Sequence, residues 1–123
     1  MKAFLPVTAF ALAGCTSVQP VQAGPTAGLG QAAYANGLYV RPIAVVEDSR
    51  CPINAVCVWA GRLVVRSEVR GGSWKKTLDL EMGKPQPIAD GALTLTAAEP
   101  SKLAGTPIES RAYRFTFEFQ GGL

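Results

Sequence analysis

Residues 62–82 contain the pattern that most restricts the fold: two alternating segments on either side of a glycine pair. Gly71-Gly72 suits the positive φ angles of a tight hairpin turn. A two-residue turn at this pair defines which residues of the two segments face each other. Counting outward from it, apolar residues meet at alternate positions, namely Val69 with Trp74, Val65 with Leu78 and Leu63 with Leu80.

The other face of this hairpin carries opposite charges at facing positions, Glu68 with Lys75 and Arg62 with Glu81. Opposite charges on neighbouring strands stabilise an antiparallel pair. A slip of one residue would turn charges toward the core, so the pattern specifies which side chains face inward. The sequence therefore predicts a hairpin with one buried and one solvated face.

Further strand patterns lie on both sides of the hairpin. Leu38 to Glu47 is rich in β-branched and aromatic residues, and Pro42 within it indicates an edge strand or a bulge. A shorter strand is predicted at Ala92–Ala97, after the Pro-rich connection Lys84–Asp90. Residues 98–107 are predicted to form a loop, with room for one helical turn near 100–103.

The last predicted strand, 112–120, alternates most plainly. It places four aromatic residues on one face and polar residues on the other, a pattern typical of a strand with one buried side. A buried core stripe is the favoured interpretation, and an exposed ligand-binding platform is the alternative. The four aromatic residues are Tyr113, Phe115, Phe117 and Phe119.

These patterns together predict an all-β domain over residues 38–123. Five to seven short strands with frequent turns and no strong helix pattern are typical of a small antiparallel β-sandwich or a partly open barrel. About 85 residues are enough for one core. The sequence thus predicts a single domain.

The first fifteen residues have the features of an export signal. Met1-Lys2 is basic, Ala3 to Leu12 is mostly apolar, and Leu12-Ala13-Gly14-Cys15 follows. An apolar run of about ten residues is too short to span a bilayer as a helix. The tetrapeptide resembles the lipobox of bacterial lipoproteins, whose signal peptide is removed before the cysteine. The resemblance implies a signal peptide over 1–14 and an acylated Cys15 that attaches the protein to a membrane.

Ordinary secretion, with cleavage after Ala13 or after Ala23, is the alternative to lipidation. Residues 15–37 are rich in Gly, Pro, Ala and Gln and are predicted to form a flexible tether, with a short helix at 29–35 as a second option. The residue after Cys15 is Thr16 and not the aspartate that is associated with retention of lipoproteins in the inner membrane. The resemblance therefore favours the cell envelope, on the periplasmic face of the outer membrane.

The chain has three cysteines, and two of them remain for a disulfide when Cys15 is assigned to the lipid. Cys51 and Cys57 would lie in an oxidising compartment, where disulfides persist. Redox dithiols usually have two intervening residues at a helix start, and this pair has five. The sequence therefore predicts a disulfide that closes a small loop.

Composition argues against several chemistries. The chain has no histidine, and its net charge is +3 with no basic run, so nucleic-acid binding is disfavoured. Histidine-dependent catalytic sites are excluded. The carboxylate pairs Glu47-Asp48 and Asp79/Glu81 are weak candidates for acid–base chemistry. No catalytic residue, metal ligand or cofactor is predicted.

The segment from Asp48 to Gly61 is the most distinctive motif of the predicted domain. Its Asp-Ser-Arg-Cys-Pro and Cys-Val-Trp-Ala-Gly strings resemble a signature of small uncharacterised exported bacterial proteins, a resemblance that carries no activity with it. In a structural interpretation the disulfide pins the loop and Trp59 fills the core. In the rival interpretation the loop is a recognition element. Its candidate residues are Asp48, Arg50, Asn54 and Trp59.

The sequence as a whole predicts a lipid-anchored envelope protein with a binding or structural module. An envelope protein is its expected partner. An inhibitor of a hydrolase, such as a lysozyme or a protease, is the first alternative, and it would project charged residues from the disulfide loop. An enzyme is the second alternative.

Overall fold

A computed structural model describes Ala3 and residues 24–122. Apart from Ala3, the predicted signal peptide lies outside this described part, as do Cys15 and residues 16–23 of the predicted tether. The described chain forms eight strands and one 3-10 helix. The strands are β1 (Thr26–Ala27), β2 (Ala33–Ala35), β3 (Leu38–Asp48), β4 (Leu63–Gly71), β5 (Trp74–Glu81), β6 (Gln86–Ile88), β7 (Gly91–Glu99) and β8 (Arg114–Gln120), and the helix is η1 (Ser110–Ala112).

The strands form two antiparallel four-stranded sheets that pack together as a small β-sandwich, confirming the predicted fold class. One sheet has the order β1-β8-β7-β6, and the other has the order β2-β3-β4-β5. The sheets do not close into a barrel. The number of strands exceeds the predicted five to seven because three short strands join the edges of the two sheets.

The core lies between the sheets and is built from alternate residues of their long strands. The aromatic stripe of β8 faces inward, with Phe115 completely buried, so the core interpretation of that pattern is confirmed. From the opposite sheet, β4 contributes Leu63, Val65 and Val69. Period-two alternation thus identified the buried face of both strands.

The β4–β5 hairpin has the predicted faces and a different register. Val69 lies opposite Lys76, and Val65 lies opposite Leu80, two residues away from the predicted partners. The strands begin to pair at Gly71 and Trp74, so Gly72 and Ser73 form the turn, with a positive φ at Gly72. A two-residue shift keeps every side chain on its face, which is why the burial pattern could not distinguish the registers.

Pro42 sits where a bulge was expected. The β3–β4 register shifts between Pro42 and Ala44, and a second shift follows between Val45 and Glu47. β2 pairs only with the first part of β3, from Leu38 to Val40. The missing N–H of proline therefore costs no ladder hydrogen bond to β2.

The tether prediction is wrong for residues 24–37, because this segment belongs to the sandwich. β1 pairs with β8, β2 pairs with β3, and Ala33 is completely buried. The alternative helix at 29–35 is also absent from this segment. Small residues that look like linker sequence are needed here because the chain packs tightly against its neighbours.

Two other predicted loops contain unexpected structure. β6 lies within the Pro-rich connection 84–90 and pairs with β7. The expected helical turn near 100–103 is absent, and the 3-10 helix lies later, at η1. In the described part of the chain, no helix is long and apolar enough to cross a membrane.

Candidate functional site

The loop between β3 and β4, residues 49–62, leaves one end of the sandwich, and its base continues the strand ladder. The Ser49 N–H donates to the Arg62 carbonyl at 2.8 Å, and the Cys51 N–H donates to the Ala60 carbonyl at 3.2 Å. The Ser49 hydroxyl also accepts from the Arg62 N–H at 2.9 Å. These bonds hold the two arms of the loop together.

A disulfide between Cys51 and Cys57 closes the loop, as predicted, with the two Cα atoms 5.9 Å apart. Inside the ring, the Ala55 N–H donates to the Pro52 carbonyl at 3.1 Å, which forms a tight turn. The ring and the ladder below it give this segment a defined shape without a helix or a strand. A loop of defined shape loses little conformational entropy on binding.

A partly buried polar cluster lies beneath the loop. Asp48 accepts two hydrogen bonds from the Arg50 guanidinium, at 2.8 and 2.9 Å, and one from the Tyr113 hydroxyl at 2.7 Å. The side chains of Asp48 and Arg50 are only 10 and 13% exposed. Arg50 also donates to the Pro100 carbonyl at 3.3 Å. The cluster joins the loop to Tyr113, the residue before β8, and to the segment after β7.

Mutual stabilisation shifts the pKa values of this cluster. Burial raises the pKa of Asp48, but hydrogen bonds from Arg50 and Tyr113 outweigh it and lower the pKa below the ordinary 3.8. The hydrogen bond to Asp48 raises the pKa of Arg50. Burial, followed by the hydrogen bond to Asp48, raises the pKa of Tyr113 to about 12. The ion pair therefore stays charged and the phenol stays neutral near neutral pH.

The segment after β7 supports the loop from the side. The Ile53 N–H donates to the Lys102 carbonyl at 2.9 Å, and the Asn54 side chain accepts from the Ala104 N–H at 2.8 Å. The Lys102 ammonium donates to the Asp48 carbonyl at 2.8 Å. Asn54, a predicted recognition residue, thus holds two loops together. A shallow hollow of about 250 Å³ lies along this segment, lined in part by Leu103 and Ile108.

Above this framework the loop presents large apolar side chains to solvent. Trp59 is 82% exposed, so the expectation that it fills the core is wrong. The core residues of the described chain lie in or next to the strands, and none of them comes from residues 49–62. Three aliphatic residues of the same loop are also exposed, namely Ile53, Val56 and Val58.

The exposed part of the loop carries no charge. Residues 51–61 contain no acidic or basic side chain. The two cations that flank this stretch are held in ion pairs, Arg50 with Asp48 and Arg62 with Glu47. We call the four exposed side chains Ile53, Val56, Val58 and Trp59 the apolar tip.

The predicted site residues therefore have different roles. Asp48 and Arg50 are in contact below the loop, Asn54 braces it, and Trp59 belongs to the apolar tip. Sequence reasoning missed Tyr113 and Lys102 as partners of Asp48. One sequence signal could have identified Tyr113. It directly precedes β8 and is the one member of the aromatic stripe with a hydroxyl, and a buried tyrosine hydroxyl usually needs a hydrogen-bond partner.

In each of the two carboxylate pairs considered for catalysis, the two carboxylates contact different cations. Glu47 contacts Arg62, whereas Asp48 contacts Arg50. Asp79 pairs with Arg66, and Glu81 contacts Lys84. Among residues 24–122, no group of three or more acidic or cysteine side chains is arranged to hold a metal ion.

Comparisons with known proteins add no further constraint. No family model, curated protein or solved structure matches the chain. The site must therefore be interpreted from its own geometry.

Proposed function

We propose that this chain is a lipid-anchored protein of a bacterial cell envelope that acts by binding, through the apolar tip of its disulfide loop. Cys15 would carry the lipid, and the β-sandwich would present the loop. The proposed location is the periplasmic face of the outer membrane. The resemblance of residues 12–15 to a lipobox supports the anchor.

The observation that carries the binding proposal is the exposure of the apolar tip on a braced loop. Burying a large aliphatic or aromatic side chain is worth about 1.5–3 kcal/mol. A chain that needed Trp59 for stability would bury it, as it buries Phe115. The disulfide, the ladder and the Asp48–Arg50 pair instead hold these side chains outward. Binding at the tip would bury these side chains and gain the free energy of apolar burial that folding does not provide.

The geometry favours binding over the two alternative functions. A hydrolase inhibitor was expected to project charge from this loop, but the apolar tip has none. An enzyme would need paired reactive groups, and the carboxylates considered for that role are engaged in ion pairs.

The anchor is tested by metabolic labelling with a fatty-acid probe. The wild-type protein should carry the label and sediment with membranes. Cys15→Ala should lose the label and leave the membrane fraction. Unlabelled, correctly exported wild-type protein would support ordinary secretion and contradict the anchor.

The binding element is tested by photo-crosslinking in cells. A photoreactive residue at position 56 should form adducts in the envelope, and Trp59→Ala should reduce them several-fold. The matched control is a photoreactive residue at Thr77, an exposed position of β5 outside the loop. Equal adducts at positions 56 and 77 would contradict the proposal.

Stability must stay constant for this comparison to be valid. Because Trp59 is 82% exposed, we expect Trp59→Ala to change the free energy of unfolding by no more than about 0.5 kcal/mol. Phe115→Ala, in the core, should cost about 3–5 kcal/mol. Urea unfolding of both variants measures the difference, and a large loss for Trp59→Ala would mean that the tip is structural.

A further inference from the structure

We infer that the apolar tip docks on a lipid bilayer, so that the domain lies against the membrane to which its N-terminus is attached. This inference rests on the proposed function and names the surface that the tip binds. It makes the loop a second membrane attachment. Three features of the chain favour lipid over a protein partner.

The first feature is the composition of the tip. Its four side chains are apolar, and residues 51–61 include no charge that would have to be desolvated. Tryptophan is enriched at the interface between lipid headgroups and hydrocarbon. A protein partner, in contrast, is selected largely by complementary charges and hydrogen bonds. The flanking cations Arg50 and Arg62 are already paired with Asp48 and Glu47.

The second feature is the depth to which the loop could enter. A non-helical backbone is not tolerated in the hydrocarbon region, where its polar groups would lack partners. The N–H groups of Cys51 and Ala55 are paired within the loop, and the Ile53 N–H donates to the Lys102 carbonyl. The remaining backbone groups need water or headgroups. The tip is therefore suited to shallow insertion at the interface.

The third feature is the length of chain between the anchor and the domain. Cys15 lies nine residues before Gly24, a span of at most about 30 Å. The Pro25 carbonyl accepts from the Phe117 N–H, and Phe117 lies four residues after Tyr113 at the loop base. Four strand residues cover about 13 Å. An anchored domain thus keeps its tip within reach of the bilayer, where even weak insertion is favoured by high effective concentration.

The chain contains an internal control for the experiment. Trp59 is in the tip, whereas Trp74 faces Gly71 at the far end of β4. β4 has nine residues, so about 27 Å separates the two ends of the strand. Trp74→Phe leaves Trp59 as the sole tryptophan, and Trp59→Phe leaves Trp74.

The exported protein, purified from the cell envelope, would be reconstituted with phosphatidylcholine vesicles that contain brominated lipid. We expect Trp59 fluorescence to be quenched several-fold more than Trp74 fluorescence. Val56→Ser together with Val58→Ser should reduce the quenching of Trp59 by about half or more. Raising the salt to about 1 M should not change it, because the tip has no charge to screen.

The possible outcomes separate this inference from the proposed function. Equal quenching of the two tryptophans would overturn lipid docking. If position 56 then still formed Trp59-dependent adducts with a protein, the tip would bind a protein and the proposed function would stand. Adducts with a second copy of this chain would likewise overturn lipid docking and indicate self-association.

Discussion

A side chain at position 61 would collide with the backbone of the opposite arm of the loop. Gly61 has φ of +70°, and a Cβ built on it would overlap the carbonyl oxygen of Ser49. Glycine meets both requirements, since it adopts positive φ and leaves room for close backbone approach. The motif Trp-Ala-Gly thus ends in a residue that the base of the loop requires.

We therefore expect Gly61→Ala to destabilise the protein by about 3 kcal/mol or more, because strain and collision act together. Gly72→Ala is the matched control. Gly72 also has a positive φ, of +50°, but has open space where a Cβ would lie. It should cost about 1 kcal/mol. Urea unfolding measures both, and equal losses would contradict a collision at position 61.

Asp48 gives the cluster below the loop a predictable response to acid. Its pKa in the folded protein is below the ordinary 3.8. Its ionised form therefore stabilises the fold above about pH 4, and this contribution is lost as the pH falls through the folded-state pKa. At neutral pH, Asp48→Asn should cost about 2 kcal/mol through weakened hydrogen bonds to a charged partner.

The difference in unfolding free energy between wild type and Asp48→Asn should shrink as the pH falls below 4. Unfolding at several pH values provides the measurement. Glu109→Gln is the control, because the Glu109–Arg111 pair is highly exposed. That substitution should have no measurable effect. A constant difference between wild type and Asp48→Asn across the acid range would contradict the role of the Asp48 carboxylate.

At the scale of the element, neither interpretation that the sequence first suggested describes the whole disulfide loop. Its lower half is structural, since Asp48, Arg50 and Asn54 all hold neighbouring segments together. Its upper half is exposed and apolar. The structural interpretation therefore describes the lower half, and the surface proposed for recognition is the apolar tip, which lies both within the ring and after the second cysteine.

We expect Cys51 and Cys57 to resist alkylation in the exported protein until a reductant is added. Cys51→Ser together with Cys57→Ser should cost about 2 kcal/mol, because a ring this small removes little entropy from the unfolded chain. The sandwich should remain folded and the adducts from position 56 should decrease. Thiols that react without reductant would contradict the disulfide.

At the scale of the whole molecule, the sandwich includes residues that the sequence assigned to a tether. Ala27, Ala33 and Ala35 are buried, and β1 and β2 extend the two sheets. The part of the chain available to separate the domain from an anchor at Cys15 is correspondingly shorter. A short connection keeps the loop close to the membrane, as the lipid-docking inference requires.

We predict that Ala33→Glu destabilises the protein by about 3 kcal/mol or more, because it places a carboxylate in the core without a partner. Ala32→Glu is the matched control, since Ala32 is exposed and adjacent. It should change the stability by no more than about 0.5 kcal/mol. Thermal or urea unfolding checks both, and equal behaviour would mean that this segment is a tether after all.

The sequence by itself determined the all-β class, the inward faces of the long strands and the pairing of Cys51 with Cys57. These features depend on local information: alternation along a strand has a period of two residues, and the two cysteines are close in the chain. Phe115 and Val65 could be assigned to the core for that reason.

Tertiary structure alone decided the exposure of Trp59, the folding of residues 24–37 and the partners of Asp48. Each depends on groups distant in sequence: Tyr113 lies 65 residues from Asp48, and Ala33 is covered by strands that follow it. A tryptophan in a loop has the same local pattern whether the core has room for it or is already filled. Only the packing of the two sheets left Trp59 outside.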